Sequence, residues 1–197
     1  MIVIFDTETS NLIPKDLSLI AKNLHKFPYV LQLSWITYNT DTKQSIENDF
    51  IIKCPIPIPE ESTKIHGITD QMSENGFEFS EVFDMFLQDV LECDILVAHN
   101  INFDLNMLEI ECLRLDKCDD ADLLFSKRHF DTMLKSVDIL KLEGRFGKHK
   151  WPKLNECYRH FFGCDFEDAH NALGDVRATL NVYKKLIICD QPKKVQV

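Results

Sequence analysis

Two periods alternate along the chain. Residues 2–5, Ile-Val-Ile-Phe, form a continuous β-branched and aromatic run, the pattern of a strand buried on both faces at the centre of a sheet. Residues 31–38 and 46–53 flank the polar stretch Asn39-Thr40-Asp41-Thr42 and predict a hairpin. Shorter runs at 95–98 and 128–130 predict two more strands. Elsewhere the apolar positions recur three and four apart, the signature of one-sided helices. After Pro14, Leu17, Ile20, Ala21 and Leu24 predict a short amphipathic helix with Lys15, Lys22, His25 and Lys26 on its polar side. Residues 80–91 predict a helix with Val82, Phe83, Phe86, Leu87 and Val90 inward. A second is expected from about Phe103, with Leu105, Leu108 and Cys112 inward. Further helices are expected at 131–142, at 154–162 with Gly163 as its stop, and at 172–188. Strands gathered early, then a strand–helix–strand–helix series, imply an α/β fold: a mixed sheet with helices on both faces.

At 197 residues and 45% hydrophobic content, the chain suffices for one substantial core and falls short of two ordinary domains. One domain over residues 1–190 and a polar tail at 191–197 are expected. The 32 acidic against 22 basic residues give a net charge of -10, which weakens long-range attraction to a polyanion. A nucleic-acid protein of this composition has to neutralise its site locally, and bound divalent cations would do so. The seven cysteines, an odd number without a Cys-x-x-Cys pair, argue against a disulfide framework. Reduced thiols in an intracellular compartment, cytoplasmic or nuclear, fit better. Cys157, His160 and Cys164 could be read as zinc ligands, but buried small hydrophobes are the expectation. No apolar stretch is long enough to cross a bilayer, and the first residues carry a strand pattern in place of a secretory leader. A soluble chain that is not secreted and makes no membrane contact is expected.

The candidate chemistry lies in four acids from three separated segments. These are Asp6 and Glu8 in VIFDTETSNL, Asp104 in AHNINFDLNML, and Asp175 in AHNALGDVRAT. Side chains two apart on a strand share a face, so Asp6 and Glu8 can point together while Thr7 faces away. Compact carboxylates are the ligands that Mg²⁺ and Mn²⁺ favour. Taken singly, each acid has a plain structural reading: a strand end for Asp6 and Glu8, and the positive end of a helix for Asp104 and Asp175, the latter capped by Asn171. All four, however, fall at strand ends or helix starts, the edge of an open α/β sheet where sites form. Clustered without a cation they would repel and raise one another's pKa; a pair of ions would remove that cost and could stabilise both the attacking and the leaving oxygen of a phosphoryl displacement. Histidine as a residue type titrates near neutrality, so His170, five positions before Asp175, suits the role of general base toward a water nucleophile.

Together these residues resemble the DEDD superfamily of 3′–5′ exonucleases on a ribonuclease H-like fold, which includes the proofreading subunits of replicative DNA polymerases. Asp6-Thr7-Glu8-Thr9 is similar to its first motif, His99-Asn100-x-x-Phe103-Asp104 to its second and His170-x-x-x-x-Asp175 to its third, in the subclass with histidine as base. The resemblance runs from residue 1 to about 188 and implies a mixed five-stranded sheet. It also implies stepwise hydrolysis from a free 3′ end to nucleoside 5′-monophosphates. Two ions, Mg²⁺ or Mn²⁺, would be held by Asp6, Glu8 and Asp175, with Asp6 bridging and Asp104 acting directly or through water; His170 would be the base. By the same carry-over Thr9 and the backbone of Thr7 approach the last nucleotide, and Leu12 wedges against its base. His66, Asn100 and Phe103 line the pocket, and residues 65–69 form a loop near the terminal base.

The substrate is expected to be a 3′ end of single-stranded DNA or RNA, in proofreading or repair of DNA, or alternatively in RNA trimming. A nuclease-like module that only binds nucleic acid or a polymerase is the reading of a different class. A DNA polymerase or other protein partner and a homodimer are both compatible with the resemblance. Two features depart from it. Residues 13–27 are longer than the loop expected there. Arg145, Lys148, His149, Lys150 and Lys153, interleaved with Phe146 and Trp151, form a local basic patch that could track phosphates and stack a base, or simply be solvated.

Overall fold

A computed structural model describes residues 1–15, 21–166 and 171–189. Its centre is strand β1 (Ile2–Thr9), whose first four residues are buried on both faces. On one side β1 pairs antiparallel with β2 (Val30–Tyr38), which pairs antiparallel with β3 (Ser45–Ile51). On the other side it pairs in parallel with β4 (Ile95–Ala98), which pairs in parallel with β5 (Arg128–Asp131). The order β3-β2-β1-β4-β5 is the mixed five-stranded sheet expected from the sequence.

The helices are α1 (Glu60–His66), α2 (Asp70–Glu74), α3 (Phe79–Glu92), α4 (Ile101–Arg114), α5 (Cys118–Ser126), α6 (Thr132–Leu140), α7 (Leu154–Phe162) and α8 (Ala172–Cys189). Strand alternation assigns them to faces. Val3 and Phe5 pack with Val82, Phe83 and Phe86 of α3 and with Leu105 and Leu108 of α4. Ile2 and Ile4, one residue out of phase, pack with Val176, Leu180 and Tyr183 of α8. Each of these fully buried side chains contributes about 1.5–3 kcal/mol. The two faces of β1 therefore carry two different helix layers, and that separation decides how the acids meet.

Most expected elements form within a residue or two. Strand β1, expected over residues 2–5, runs on to Thr9, carried past its apolar run by pairing with β2. Three further expectations need correction. The helix placed from Phe103 starts at Ile101, because Asn100 takes a left-handed conformation (φ 69) and turns the chain directly off β4. In the segment read as a helix around 17–24, Ala21–Lys26 forms a 3-10 turn; Leu17 and Ile20 lie outside the described residues. This turn is held down by Arg114, whose Nη2 donates to the carbonyls of Leu24, Phe27 and Pro28, while its guanidinium stacks on Tyr29. Residues 65–69 are not simply a loop: Ile65 and His66 end α1, and Gly67 caps it at φ 76. Helices α1, α2 and α5 were not expected. The tail at 191–197 lies outside the described residues.

All seven cysteines are free, as expected. Cys157 is buried, whereas Cys164 is exposed, contrary to the reading of both as core residues; among the described residues they form no metal-binding group with His160. No described helix is long and apolar enough to cross a membrane.

Candidate active site

Strand β1 stays extended to Thr9, so Asp6 and Glu8 share the face on which α8 packs. Asp175 sits in the first turn of α8, and its carboxylate comes to the same place. Ligand oxygens of Asp6, Glu8 and Asp175 all lie within 4.8 Å of one another. Two anchors hold α8 there. Gln32, opposite Glu8 on β2, accepts from the Ala172 N–H through its side-chain oxygen (3.3 Å) and donates from Nε2 to Asp49 (2.7 Å). Asn171 accepts from the Gly174 N–H (3.3 Å), the capping role expected of it.

Asp104 arrives from the opposite layer. It is 3% exposed in the first turn of α4, and its Oδ1 accepts from both the Thr7 N–H (3.0 Å) and the Thr7 hydroxyl (2.7 Å). Thr7 points away from Asp6 and Glu8, and that is why it meets Asp104. The start of α4 is set in turn by Asp131, whose Oδ1 accepts from the Asn100 N–H (3.2 Å) and caps α6 through Met133 (2.8 Å) and Leu134 (3.1 Å). His99, whose pKa burial lowers, donates from Nε2 to the Pro152 carbonyl (3.0 Å), and its Nδ1 lies 3.0 Å from the Thr132 hydroxyl.

The electrostatics follow from this crowding. Burial, then Asp104, Asp175 and Glu8, hold the Asp6 carboxyl well above the usual carboxylate range. Burial, then Asp175 and Asp104, push Glu8 up to about 8. Burial raises Asp104 to about 7 against the lowering effect of the two Thr7 hydrogen bonds. Four carboxylates that disfavour one another's charge, with oxygens of three close enough to share an ion, form a donor set suited to hard divalent cations.

Beside Glu8 lies a cleft of about 370 Å³ lined by Thr7, Glu8, Thr9, Asn11, Leu12, Pro59, Glu61, Ser62, Ile65, His66 and Phe103. Five of the six residues expected to touch substrate are on this wall. Asn100 is not; it takes the left-handed cap position before α4. Leu12 is 75% exposed at the rim, while His66 is buried. The Nδ1 of His66 accepts from the Ile68 N–H (3.0 Å), which leaves the ring proton on Nε2; that atom is buried and has no hydrogen-bond partner among the described residues. His170 lies outside the described residues. Gln32 and Asp131 were missed as site residues. A glutamine inside a strand and an Asp-Thr helix start each have a sufficient local explanation, so neither signals its long-range partner.

Comparison with known proteins gives a consistent picture. The family described as Exonuclease matches residues 3–183. A DNA polymerase III subunit epsilon-like protein of Rhodobacter capsulatus is 30% identical over 188 residues, 94% of this chain and 23% of that protein. A PolC-type DNA polymerase III of Thermotoga maritima is 30% identical over 148 residues, 75% of this chain and 10% of that protein. The chain thus spans a small part of these curated relatives. Among solved structures, Exonuclease X in complex with 5′ overhanging duplex DNA superposes with a TM-score of 0.64 at 15% identity, covering 98% of this chain and 95% of the other. The nuclease domain of 3′hExo, a DEDDh family member bound to rAMP, gives a TM-score of 0.68 at 14% identity, covering 96% and 92%.

Proposed function

The chain belongs to the DEDD family of 3′–5′ exonucleases, and on that premise we propose that it removes nucleoside 5′-monophosphates one at a time from the 3′ end of a strand, using divalent metal. The observation that carries the proposal is the convergence of Asp6, Glu8 and Asp175 within 4.8 Å, with Asp104 tied to the same strand through Thr7. Asp6, Glu8 and Asp175 would hold the ions, with Asp104 completing the charge. Bound there, Mg²⁺ or Mn²⁺ supplies positive charge for the phosphoryl oxygens and lowers the pKa of water.

The protein's own residues do the rest. The cleft beside Glu8 takes the terminal nucleotide, with Leu12 and Phe103 flanking its base and the His66 Nε2–H available as a donor. Thr9, whose hydroxyl donates to the Asn11 carbonyl (2.9 Å), shapes the turn that presents Leu12. His170 takes the proton from the attacking water. The water oxygen bonds to phosphorus as the P–O3′ bond breaks, a 5′-monophosphate leaves, and the departing 3′ oxygen takes a proton from solvent, so the shortened strand ends in a 3′-hydroxyl.

DNA is the proposed substrate, because the sequence relatives are DNA polymerase III proteins. RNA trimming is the second reading, favoured by the rAMP in the 3′hExo neighbour. Digestion of 5′-labelled single-stranded DNA, mismatched duplex DNA and RNA of one sequence tests all of this. A ladder that shortens from the 3′ end, requires Mg²⁺ or Mn²⁺ and is lost in Asp6→Asn is expected, with DNA degraded faster than RNA. Cleavage that persists in chelator or in Asp6→Asn would reject the proposal.

A further inference from the structure

Between α6 and α7 the chain folds back on itself. The Lys150 N–H donates to the Leu142 carbonyl (3.1 Å), Glu143 and His149 form a β-bridge, and the Lys148 N–H donates to the Arg145 carbonyl (3.2 Å). The two arms close against Gly144, where a Cβ would stand 2.4 Å from the Lys148 carbonyl oxygen, so a side chain there would force the loop open. Its tip is the single 3-10 turn Arg145–Gly147, in which Phe146 holds φ 57 and is 98% exposed. A bulky residue in that backbone region is strained, and a phenyl ring standing in water adds nothing to the core.

The charge of the loop is as unusual as its shape. Residues 145–153 contain Arg145, Lys148, Lys150 and Lys153 and no acid, in a chain of net charge -10. Lys150 pairs with Glu156, which also accepts from the Lys153 backbone N–H (2.8 Å); among the described residues, no carboxylate lies within 4.0 Å of the charged ends of Arg145, Lys148 or Lys153. Trp151 is 66% exposed beside them. The loop ends at the edge of the site: the Pro152 carbonyl accepts from His99, one residue before the cap of the helix that carries Asp104.

We propose that this loop is a second nucleic-acid contact, which grips phosphates through Arg145 and Lys148 and stacks a base on Phe146, upstream of the 3′ end held at the carboxylates. The inference rests on the exonuclease reading and adds to it a substrate class, a single strand of several nucleotides. Cations set among exposed rings match a strand in which phosphates alternate with flat bases. An acidic protein surface would engage the cations but has no particular use for a lone ring at a strained tip.

The test compares wild type, Phe146→Ala and the Arg145→Ala/Lys148→Ala double variant in two assays. One is anisotropy of a labelled oligothymidylate with Ca²⁺ in place of Mg²⁺. The other is Mn²⁺-supported hydrolysis of the p-nitrophenyl ester of thymidine 5′-monophosphate, which offers one nucleotide and no upstream strand. Phe146→Ala should bind the oligonucleotide on the order of tenfold more weakly. The double variant should also lower the slope of log affinity against log salt by about 1.4, or about 0.7 per cation. Ester hydrolysis should be unchanged, which also shows that the variants fold. Wild-type affinity and salt slope in both variants would overturn the contact and assign the patch to a protein partner or to solvent. Equal losses in both assays would overturn it in favour of a structural role. Loop-dependent binding by a wild type that hydrolyses neither the ester nor, when Mn²⁺ replaces Ca²⁺, the oligothymidylate would support the contact and reject the exonuclease reading.

Discussion

Burial and two neighbouring acids raise the Glu8 carboxyl from 4.5 to about 8, so its charge costs the metal-free fold free energy. Below about pH 4.5 the group is protonated whether the chain is folded or not. As pH rises the unfolded chain ionises first and the native state lags, so stability present at low pH is lost toward pH 8. Glu8→Gln should therefore match the metal-free wild type near pH 4.5 and melt higher than it at pH 8, as thermal unfolding in chelator would show. The same substitution should cut metal-supported hydrolysis on the order of a thousandfold, since it removes several kcal/mol of charge stabilisation. A variant more stable and less active at the same pH is the mark of a carboxylate placed for chemistry. His170→Ala should lower kcat about 10²–10⁴-fold with little change in strand affinity, as expected for a base that acts in the transition state. Equal loss of kcat and affinity would assign His170 to binding or structure.

At the scale of elements, the site depends on where helices begin. Asp131 accepts three backbone N–H groups and sets the starts of both α4 and α6. Asp131→Ala should cost about 0.5–2 kcal/mol as a lost cap. It should also lower turnover, because α4 delivers Asp104; unchanged activity beside a lower melting temperature would limit Asp131 to the cap of α6. The sequence shows these elements unevenly, for physical reasons. Central strands and one-sided helices bury contiguous apolar faces, and β4, α3, α7 and α8 accordingly fall close to their expected bounds, whereas β1 runs on past its apolar run to Thr9. Helices α1 and α2 are short and polar, and the apolar residues of α5 cluster at 123–125 instead of recurring along it, so little periodicity can be read, although Pro59 followed by Glu60 and Glu61 is a helix start that could have been recognised. The early start of α4 escapes notice because Asn100 needs no glycine to adopt φ 69, and asparagine tolerates that region.

For the whole molecule, the four acids were legible as motifs while their route of approach was not. The period of two on β1 predicts that Asp6 and Glu8 share a face. It does not reveal that Asp175 joins them from the α8 layer while Asp104 reaches the site through Thr7 from the α3 and α4 layer. The sheet edge is where the two layers can present charge to one point. Such an apo site holds protons near neutrality, with Glu8 raised to about 8 and Asp104 to about 7, and a divalent ion has to displace them. Calorimetric titration of Mn²⁺ at pH 7 in buffers of different ionisation enthalpy reads that displacement directly. Wild type should bind with a heat that varies with the buffer, reporting proton release, and Asp6→Asn should lose both binding and release. No binding at millimolar Mn²⁺, or the same binding and proton count in Asp6→Asn, would contradict a metal centre at these carboxylates.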